Sequence, residues 1–286
     1  MKSLSNKKIC FIGGGSMAEA IIRGLVGQNT MIPASISVLG RDNIEKLNSL
    51  AGKYGITPVT GMQNKLAAAA GADIVVLSMK PKDAAEALAE YRGSLRQDQL
   101  IVSVIAGLSL ASIAKLLGFV PPIVRTMPNT SSSIGLGATG ISYNEAVDGG
   151  HRLAAQTIFE SIGMVFEVEE QKLDIVTGVS GSGPAYIYYF VESMTAGGVA
   201  GGLDEAAARQ LTVQTLLGAA EMLRQTGEDP AELRRKVTSP NGTTQAALEL
   251  MANAAVGESI TKAVLRSAER AGEIGAEIAK QIEMNS

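Results

Sequence analysis

Two short stretches carry the residue types that could do chemistry. The first is residues 9–18, ICFIGGGSMA. An apolar run ends in Gly13, Gly14 and Gly15, and Ser16, Met17 and Ala18 then open a helix-compatible segment. Gly13, Gly15 and Ala18 fit the spacing G-x-G-x-x-G/A. In that spacing the first small residue permits a tight turn and the second lets backbone approach a pyrophosphate. The third lets helix and strand pack closely, and the unpaired N–H groups of the helix face the anion. A glycine turn with no ligand has the same look, but placement directly after a strand-like run favours a dinucleotide. The second stretch is residues 239–244, SPNGTT. Ser239 is pushed toward extended backbone by Pro240. Asn241 and Gly242 permit a turn, and Thr243 and Thr244 can begin a helix. Several backbone N–H groups and three hydroxyls then point at one spot, which suits a small anion such as a carboxylate. Plain helix capping is the alternative.

Other residues narrow the chemistry. After the second strand-like run stand Gly40 and Arg41, where an NAD site usually carries an acidic residue for the ribose 2′-hydroxyl. A guanidinium suits a 2′-phosphate, so NADP(H) is favoured over NAD(H); the alternative is a solvated loop arginine. The neighbouring Asp42 is expected to cap the next helix. Lys80 closes another apolar run, within reach of a ribose or phosphate or simply solvated. The segment 180–185, SGSGPA, does not match G-x-S-x-G in register and follows no strand, so a close glycine crossing is expected there instead of a serine nucleophile. One cysteine (Cys10, in the first strand) and one histidine (His151, expected at the surface) exclude a disulfide framework and a Cys/His metal cluster within the chain.

These residues need elements to position them. The chain has 286 residues, enough for one large and one small domain. Hydrophobic residues make up 46%, ample for a core, while aromatics are 4% with no Trp, which disfavours a platform for stacking bases. A net charge of −3 argues against nucleic acid or an anionic membrane as partner. The start, MKSLSNKK, is not a signal peptide, and the apolar run after Pro184 contains Glu192 and is too short to span a bilayer. A cytoplasmic protein is the expectation.

The apolar runs at 9–12, 36–39, 57–59, 74–79, 100–105, 123–126, 139–143 and 164–168 read as strands. Helices alternate with them at 16–26, 44–54, from 64, from 83, from 109 and at 145–161. This alternation predicts a doubly wound, mostly parallel sheet, an α/β Rossmann domain over 1–168. Gly13, Arg41, Lys80, Ala106 and Met127 then fall at successive strand ends along one carboxyl edge, where ligands bind in such sheets. Beyond residue 169 the pattern turns all-helical, with segments at 173–202, 204–226, 230–237, 245–255 and 257–283. Leu211, Leu216, Leu217, Ala220 and Leu223 are expected to be buried. The apolar faces exceed what these helices need alone, which predicts helix exchange with a second subunit.

Taken together, IGGGSMAEAII, SMKPKD, SVIAGLSLASI, VRTMPNT, SGSGPAYIYYF and VTSPNGTTQAAL resemble the pyrroline-5-carboxylate reductases of proline biosynthesis, in that family's order from residue 9 to about 248. The resemblance implies reduction of the cyclic imine of 1-pyrroline-5-carboxylate to L-proline, with NADPH preferred and NADH possible. It assigns coenzyme contacts to Gly13, Gly14, Gly15, Ser16, Met17, Ala18, Gly40, Arg41, Asn64, Met79, Lys80, Pro81, Ala106 and Gly107. It assigns the substrate carboxylate to Ser239, Gly242, Thr243 and Thr244, with the Thr244 hydroxyl also meeting the ring nitrogen. It further implies a homodimer with interlocked C-terminal helices over 169–286, a ring of such dimers, and a substrate site shared across the dimer interface. Ser131 stands where the family often has Pro, and Asn241 where Gly is usual; Asn tolerates left-handed backbone, so the turn is expected to survive.

The residue chemistry agrees. A protonated imine is already electrophilic, so the reaction requires no metal, nucleophile or histidine. The protein has to place the nicotinamide against the imine carbon and keep water out. Thr244, a neutral hydroxyl, orients the nitrogen and is a poor acid. Two other readings compete. A β-hydroxyacid-type dehydrogenase carries a catalytic Lys on its long helix, and residues 185–202 contain none. A non-catalytic coenzyme-binding protein would have no reason to keep the 239–244 segment.

Overall fold

The computed structural model describes residues 4–41 and 43–284. The chain forms two compact units. The first runs to Ser182 and takes back the segment from Arg266; the second is Gly183–Leu265. The expected boundary after residue 168 falls inside the first unit.

The first unit is built on β1 (Ile9–Ile12), α1 (Ser16–Gly27), β2 (Ile36–Leu39), α2 (Ile44–Tyr54), β3 (Thr57–Val59), α3 (Met62–Ala70), β4 (Ile74–Leu77), α4 (Ala84–Tyr91), β5 (Leu100–Ser103), α5 (Leu110–Leu117) and β6 (Ile123–Met127). There follow β7 (Gly137–Tyr143), α6 (Gly149–Glu160), β8 (Gly163–Glu167) and the single turn α7 (Leu173–Val176). The eight strands form one sheet in the order β3-β2-β1-β4-β5-β6-β7-β8. The first six are mutually parallel; β7 runs antiparallel to β6, and β8 parallel to β7. Strands with apolar residues at every position are buried on both faces, and their alternation sorts side chains to two cores. Ile9, Phe11, Ile74, Val76, Leu100 and Val102 face the core shared with α1, α2 and α6. Cys10, Ile12, Val75, Leu77 and Ile101 face the core shared with α3, α4 and α5. Ile278 and Ile282, near the chain's end, complete that second core. Their apolar side chains draw the C-terminal segment back onto the sheet, a long-range packing that local helical periodicity does not reveal.

Strand limits differ by a few residues from expectation. β4 stops at Leu77 and β5 at Ser103, because the ladder ends where the chain turns over the carboxyl edge. The helix expected from Asp83 starts as a 3-10 turn, Pro81–Asp83. The helix expected from residue 145 begins only at Gly149, where Asp148 and His151 form a reciprocal capping box. His151 is thus a capping residue. Asp42 lies outside the described residues, and Asn43 caps α2 by accepting from the Lys46 amide at 2.8 Å. Between α7 and the next helix, Thr177–Gly181 is a π-turn.

The second unit holds α8 (Gly183–Ala200), α9 (Glu205–Thr226), α10 (Pro230–Lys236), α11 (Thr243–Asn253) and the first part of α12 (Val256–Met284). Asp204 and Asp229 cap α9 and α10 through the Ala207 and Ala231 amides. Pro230 follows Asp229 at the first helical position. Gly198 lets α8 approach α9: a Cβ there would lie 3.0 Å from the Ala208 Cβ. Of the α9 residues expected to be buried, Leu211, Leu217, Ala220 and Leu223 are exposed and Leu216 is half-buried; the buried ones are Ala208 and Thr212. Among the described residues of this unit, Leu211 and Leu217 on the outer face of α9 stay exposed.

Candidate functional site

The glycine turn is shaped as the spacing demands. Gly13 has φ +114°, and a Cβ there would lie 2.7 Å from the carbonyl carbon and oxygen of Ser78. Only glycine fits both the dihedral and the space. Ser78 Oγ donates to Gly13 O at 2.8 Å, tying the end of β4 to the turn. Ala18 is fully buried where α1 meets the sheet. Gly15 is the N-cap of α1 and offers no side-chain cap. The first turn of a twelve-residue helix therefore presents backbone N–H groups and the positive end of its dipole at the carboxyl edge. Glu19, the acidic residue of that turn, is held by Lys53 at 3.1 Å and the Tyr54 hydroxyl at 3.2 Å. This arrangement fits a dinucleotide pyrophosphate.

The other expected coenzyme residues lie along the same edge. Gly40 and Arg41 follow β2, next to β1; a Cβ on Gly40 would crowd Leu47 at 2.9 Å. The Arg41 side chain is 66% exposed, with Nη1 3.4 Å from Glu86 and 3.6 Å from Asp83. Such exposed pairs are weak, so an arriving phosphate can compete for the guanidinium. Met79, Lys80 and Pro81 follow β4; Met79 packs on the second core while Lys80 is exposed. Ala106 and Gly107 follow β5, with Gly107 at φ +79°. Asn64 is exposed in the first turn of α3, its amide donating to Thr60 O at 3.2 Å. Cys10 is no nucleophile: burial pushes its thiol up to about 11 despite a hydrogen bond with Ser37.

Past β6, Asn129 spans two segments. Its Nδ2 donates to Ser180 O at 3.1 Å and its Oδ1 accepts from the Ala138 amide at 3.2 Å. A Cβ on Gly181 would lie 2.7 Å from Met127 Cε. The SGSGPA stretch is thus a close glycine crossing made by a π-turn, a feature frequent at functional sites.

In the second unit, Asn241 adopts φ +57° and Gly242 becomes the N-cap of α11. Gly242 N donates to Ser239 O at 3.0 Å, closing the turn. The Asn241 amide donates to Gln245 Oε1 at 2.8 Å. No side chain caps α11, so the amides of Thr243 and Thr244 begin an eleven-residue helix whose N-terminus is open to an anion. Ser239 and Thr243 are exposed and Thr244 is half-buried. The fourteen expected coenzyme residues thus all lie on the first unit, thirteen in the first stretch and at strand ends and Asn64 in α3, and the other four on one turn of the second.

A family model for pyrroline-5-carboxylate reductase dimerisation matches residues 170–274, and one for coenzyme F420-dependent NADP oxidoreductases matches residues 8–107. Pyrroline-5-carboxylate reductase 1 of Bacillus subtilis is 42% identical over 274 residues, covering 96% of this chain and 91% of that protein. The chain belongs to the pyrroline-5-carboxylate reductase family. A reductase of this name from Pseudomonas aeruginosa is 39% identical over 95% of this chain and 100% of its own. Among solved structures, a pyrroline-5-carboxylate reductase from Coxiella burnetii superposes with TM-score 0.86 at 36% identity, covering 94% of this chain and 99% of that one. A pyrroline carboxylate reductase from Plasmodium falciparum with NADP bound gives TM-score 0.84 at 27% identity, covering 95% and 99%.

Three structural residues carry little signal in the sequence. Ser78 closes an apolar run, and its small polar side chain has no periodicity. Asn129, in the MPNT stretch, shows its role only through its bonds to Ser180 and Ala138. Arg125 stands in an apolar strand and is buried beside two carboxylates, Glu170 at 3.2 Å and Asp174 at 3.3 Å. An arginine inside an apolar strand was the available signal, since buried charge requires a partner.

Proposed function

We propose that this chain reduces 1-pyrroline-5-carboxylate to L-proline with hydride from NADPH, the last step of proline biosynthesis, in the cytoplasm. The observation that carries the reading is a pair of uncapped helix N-termini, α1 behind a glycine turn and α11 behind a left-handed Asn241, within one chain of this family. The first suits a pyrophosphate and the second a carboxylate.

NADPH, when bound, supplies the hydride. The chain's own residues do the rest. Gly13, Gly14, Gly15, Ser16 and Met17 hold the pyrophosphate; Ala18, expected among these contacts, is fully buried and instead seats α1 closely on the sheet. Gly40 and Arg41 take the ribose 2′-phosphate, and Asn64, Met79, Lys80, Pro81, Ala106 and Gly107 complete the coenzyme contacts. Arg41 supports a preference for NADPH, with NADH as the weaker alternative. Ser239, Gly242, Thr243 and Thr244 hold the substrate carboxylate. The Thr244 hydroxyl orients the ring nitrogen, and the already protonated imine carries the electrophilicity, so no strong acid is asked of the protein.

The second unit supports a dimer. Ile187, Tyr188, Tyr189, Leu211, Leu217, Leu250 and Leu265 are each more than half exposed, more apolar surface than a monomer leaves open. Interlocked helices from two copies would bury it, bring the two cradles together across the interface, and allow rings of dimers. Among the described residues no helix is long and apolar enough to cross a membrane.

The test is steady-state oxidation of NADPH and of NADH with pyrroline-5-carboxylate, with the six-membered imine acid for comparison. Turnover with the five-membered imine, faster with NADPH at limiting coenzyme, is expected. Coenzyme binding without turnover on any cyclic imine acid would favour the non-catalytic reading.

A further inference from the structure

The turn after β5 carries Ala106 and Gly107, and α5 begins at Leu110. Ser109 caps α5 in the ordinary way, its hydroxyl accepting from the Ser112 amide at 3.0 Å. That leaves the Leu110 N–H at the very start of the helix without a partner in the helix itself. Glu170, sixty residues later in sequence, supplies one: its Oε1 accepts from Leu110 N at 2.7 Å. The same oxygen accepts from Arg125 Nη1 at 3.2 Å, and the other arm of Arg125 reaches Asp174 Oδ1 at 3.3 Å. Arg125 is 9% exposed and pairs with these two carboxylates, whose side chains are partly open to solvent. On Gly107 itself, α12 closes in. A Cβ on Gly107 would lie 3.2 Å from Gly275 N, and a Cβ on Gly275 would lie 3.0 Å from Gly107 O. The turn is therefore held at its helix end by a charged carboxylate and at its glycine by helix backbone.

We propose that Glu170 is a positioning residue for the dinucleotide: fixed by Arg125, its carboxylate holds the N-terminus of α5 and so presets the Ala106-Gly107 turn against which the coenzyme lies. This rests on the reading that this turn touches the coenzyme. A carboxylate at a helix N-terminus is stabilised by the helix dipole, and a charge-assisted bond of this length is stiff. A turn already in place costs no ordering when the coenzyme arrives; a loosened one does, and affinity falls by that amount. The chemical step, which occurs after the coenzyme is seated, is left alone.

The experiment measures the NADPH dissociation constant of the full-length protein by fluorescence titration. It also measures kcat at saturating NADPH and the thermal midpoint. The variants are Glu170→Ala, Glu170→Gln, Glu170→Asp and Ala106→Val. Glu170→Ala is expected to weaken NADPH about tenfold with kcat kept within about threefold. Glu170→Gln keeps an acceptor oxygen at the same reach and is expected to restore most of the affinity. Glu170→Asp, shorter by one methylene, is expected to behave like Ala. Ala106→Val probes the turn directly and is expected to weaken NADPH. A Glu170→Ala protein that melts earlier but binds NADPH normally, while Ala106→Val weakens it, overturns the positioning role and leaves the coenzyme turn standing. If neither Glu170→Ala nor Ala106→Val moves the dissociation constant, the assignment of the turn to the coenzyme falls, and the proposal with it. Should Glu170→Ala fail to fold, the order of Gln against Asp decides: tighter binding for Gln supports the brace, and equal or reversed affinities overturn it.

Discussion

At Thr244 the proposed chemistry comes down to one half-buried hydroxyl on the first turn of α11. Its loss removes a bond that orients the ring nitrogen but touches nothing in the nucleotide cradle. Thr244→Ala should lower turnover by at least about tenfold while NADPH affinity stays unchanged, the pattern of an interaction made chiefly to the reacting species. Unchanged kcat at saturating substrate would remove Thr244 from the site. Arg41 is a different case, because its guanidinium already faces Asp83 and Glu86. Both pairs are solvent-exposed and weak, so a doubly charged 2′-phosphate is the better partner. Arg41→Ala should raise the KM for NADPH about tenfold or more and leave that for NADH within about twofold. Equal weakening of both coenzymes would rule out the phosphate contact.

Elements are set by glycines that serve unlike ends. Gly13 joins β1 to α1 at a dihedral other residues resist, with Ser78 backbone where a Cβ would go. Gly24, in the last turn of α1, faces Ser161: a Cβ there would lie 2.5 Å from its carbonyl oxygen. Both Gly13→Ala and Gly24→Ala overpack, at a cost of about 1–3 kcal/mol each. Their effects should part at the coenzyme. Gly13→Ala should lose NADPH affinity as well as stability, whereas Gly24→Ala should lose stability alone, as read by denaturant melts beside NADPH titration. Loss of coenzyme affinity in both would mean that α1 responds as a rigid whole. The strands of the sheet are legible in the sequence because β1 and β4 are apolar at every position and β5 at all but Ser103, which identifies strands buried on both faces. The π-turn at Thr177–Gly181 was not, since it arises where Met127 packs on Gly181 and Asn129 bonds Ser180, contacts about fifty residues apart.

For the whole molecule, the unpartnered faces of α8 and α9 are the dominant fact. Leu217 is 61% exposed on a helix whose buried positions are Ala208 and Thr212. Burying such a leucine in a partner interface is worth about 1.5–3 kcal/mol, and a charge placed there reverses the sign. Leu217→Glu should shift the sedimentation coefficient toward that of a monomer and, on the proposal that the site is shared between copies, lower activity along with it. A variant that sediments and turns over like the parent would count against that interface.

The sequence by itself determined what depends on neighbours along the chain. Glycine spacing after an apolar run, the order of strands and helices, the Asp229-Pro230 helix start and the left-handed Asn241 are local matters of sterics and hydrogen bonding. So is the open N-terminus of α11, which follows from a Gly rather than a capping side chain at Gly242. Tertiary structure decided what depends on distance in sequence. It took the end of α12 into the core of the first unit through Ile278 and Ile282. It paired buried Arg125 with Glu170 and Asp174, and it left Leu211 and Leu217 uncovered where amphipathic spacing alone implies burial. A helical period marks which residues want to leave water; only the packed chains say what they leave it for.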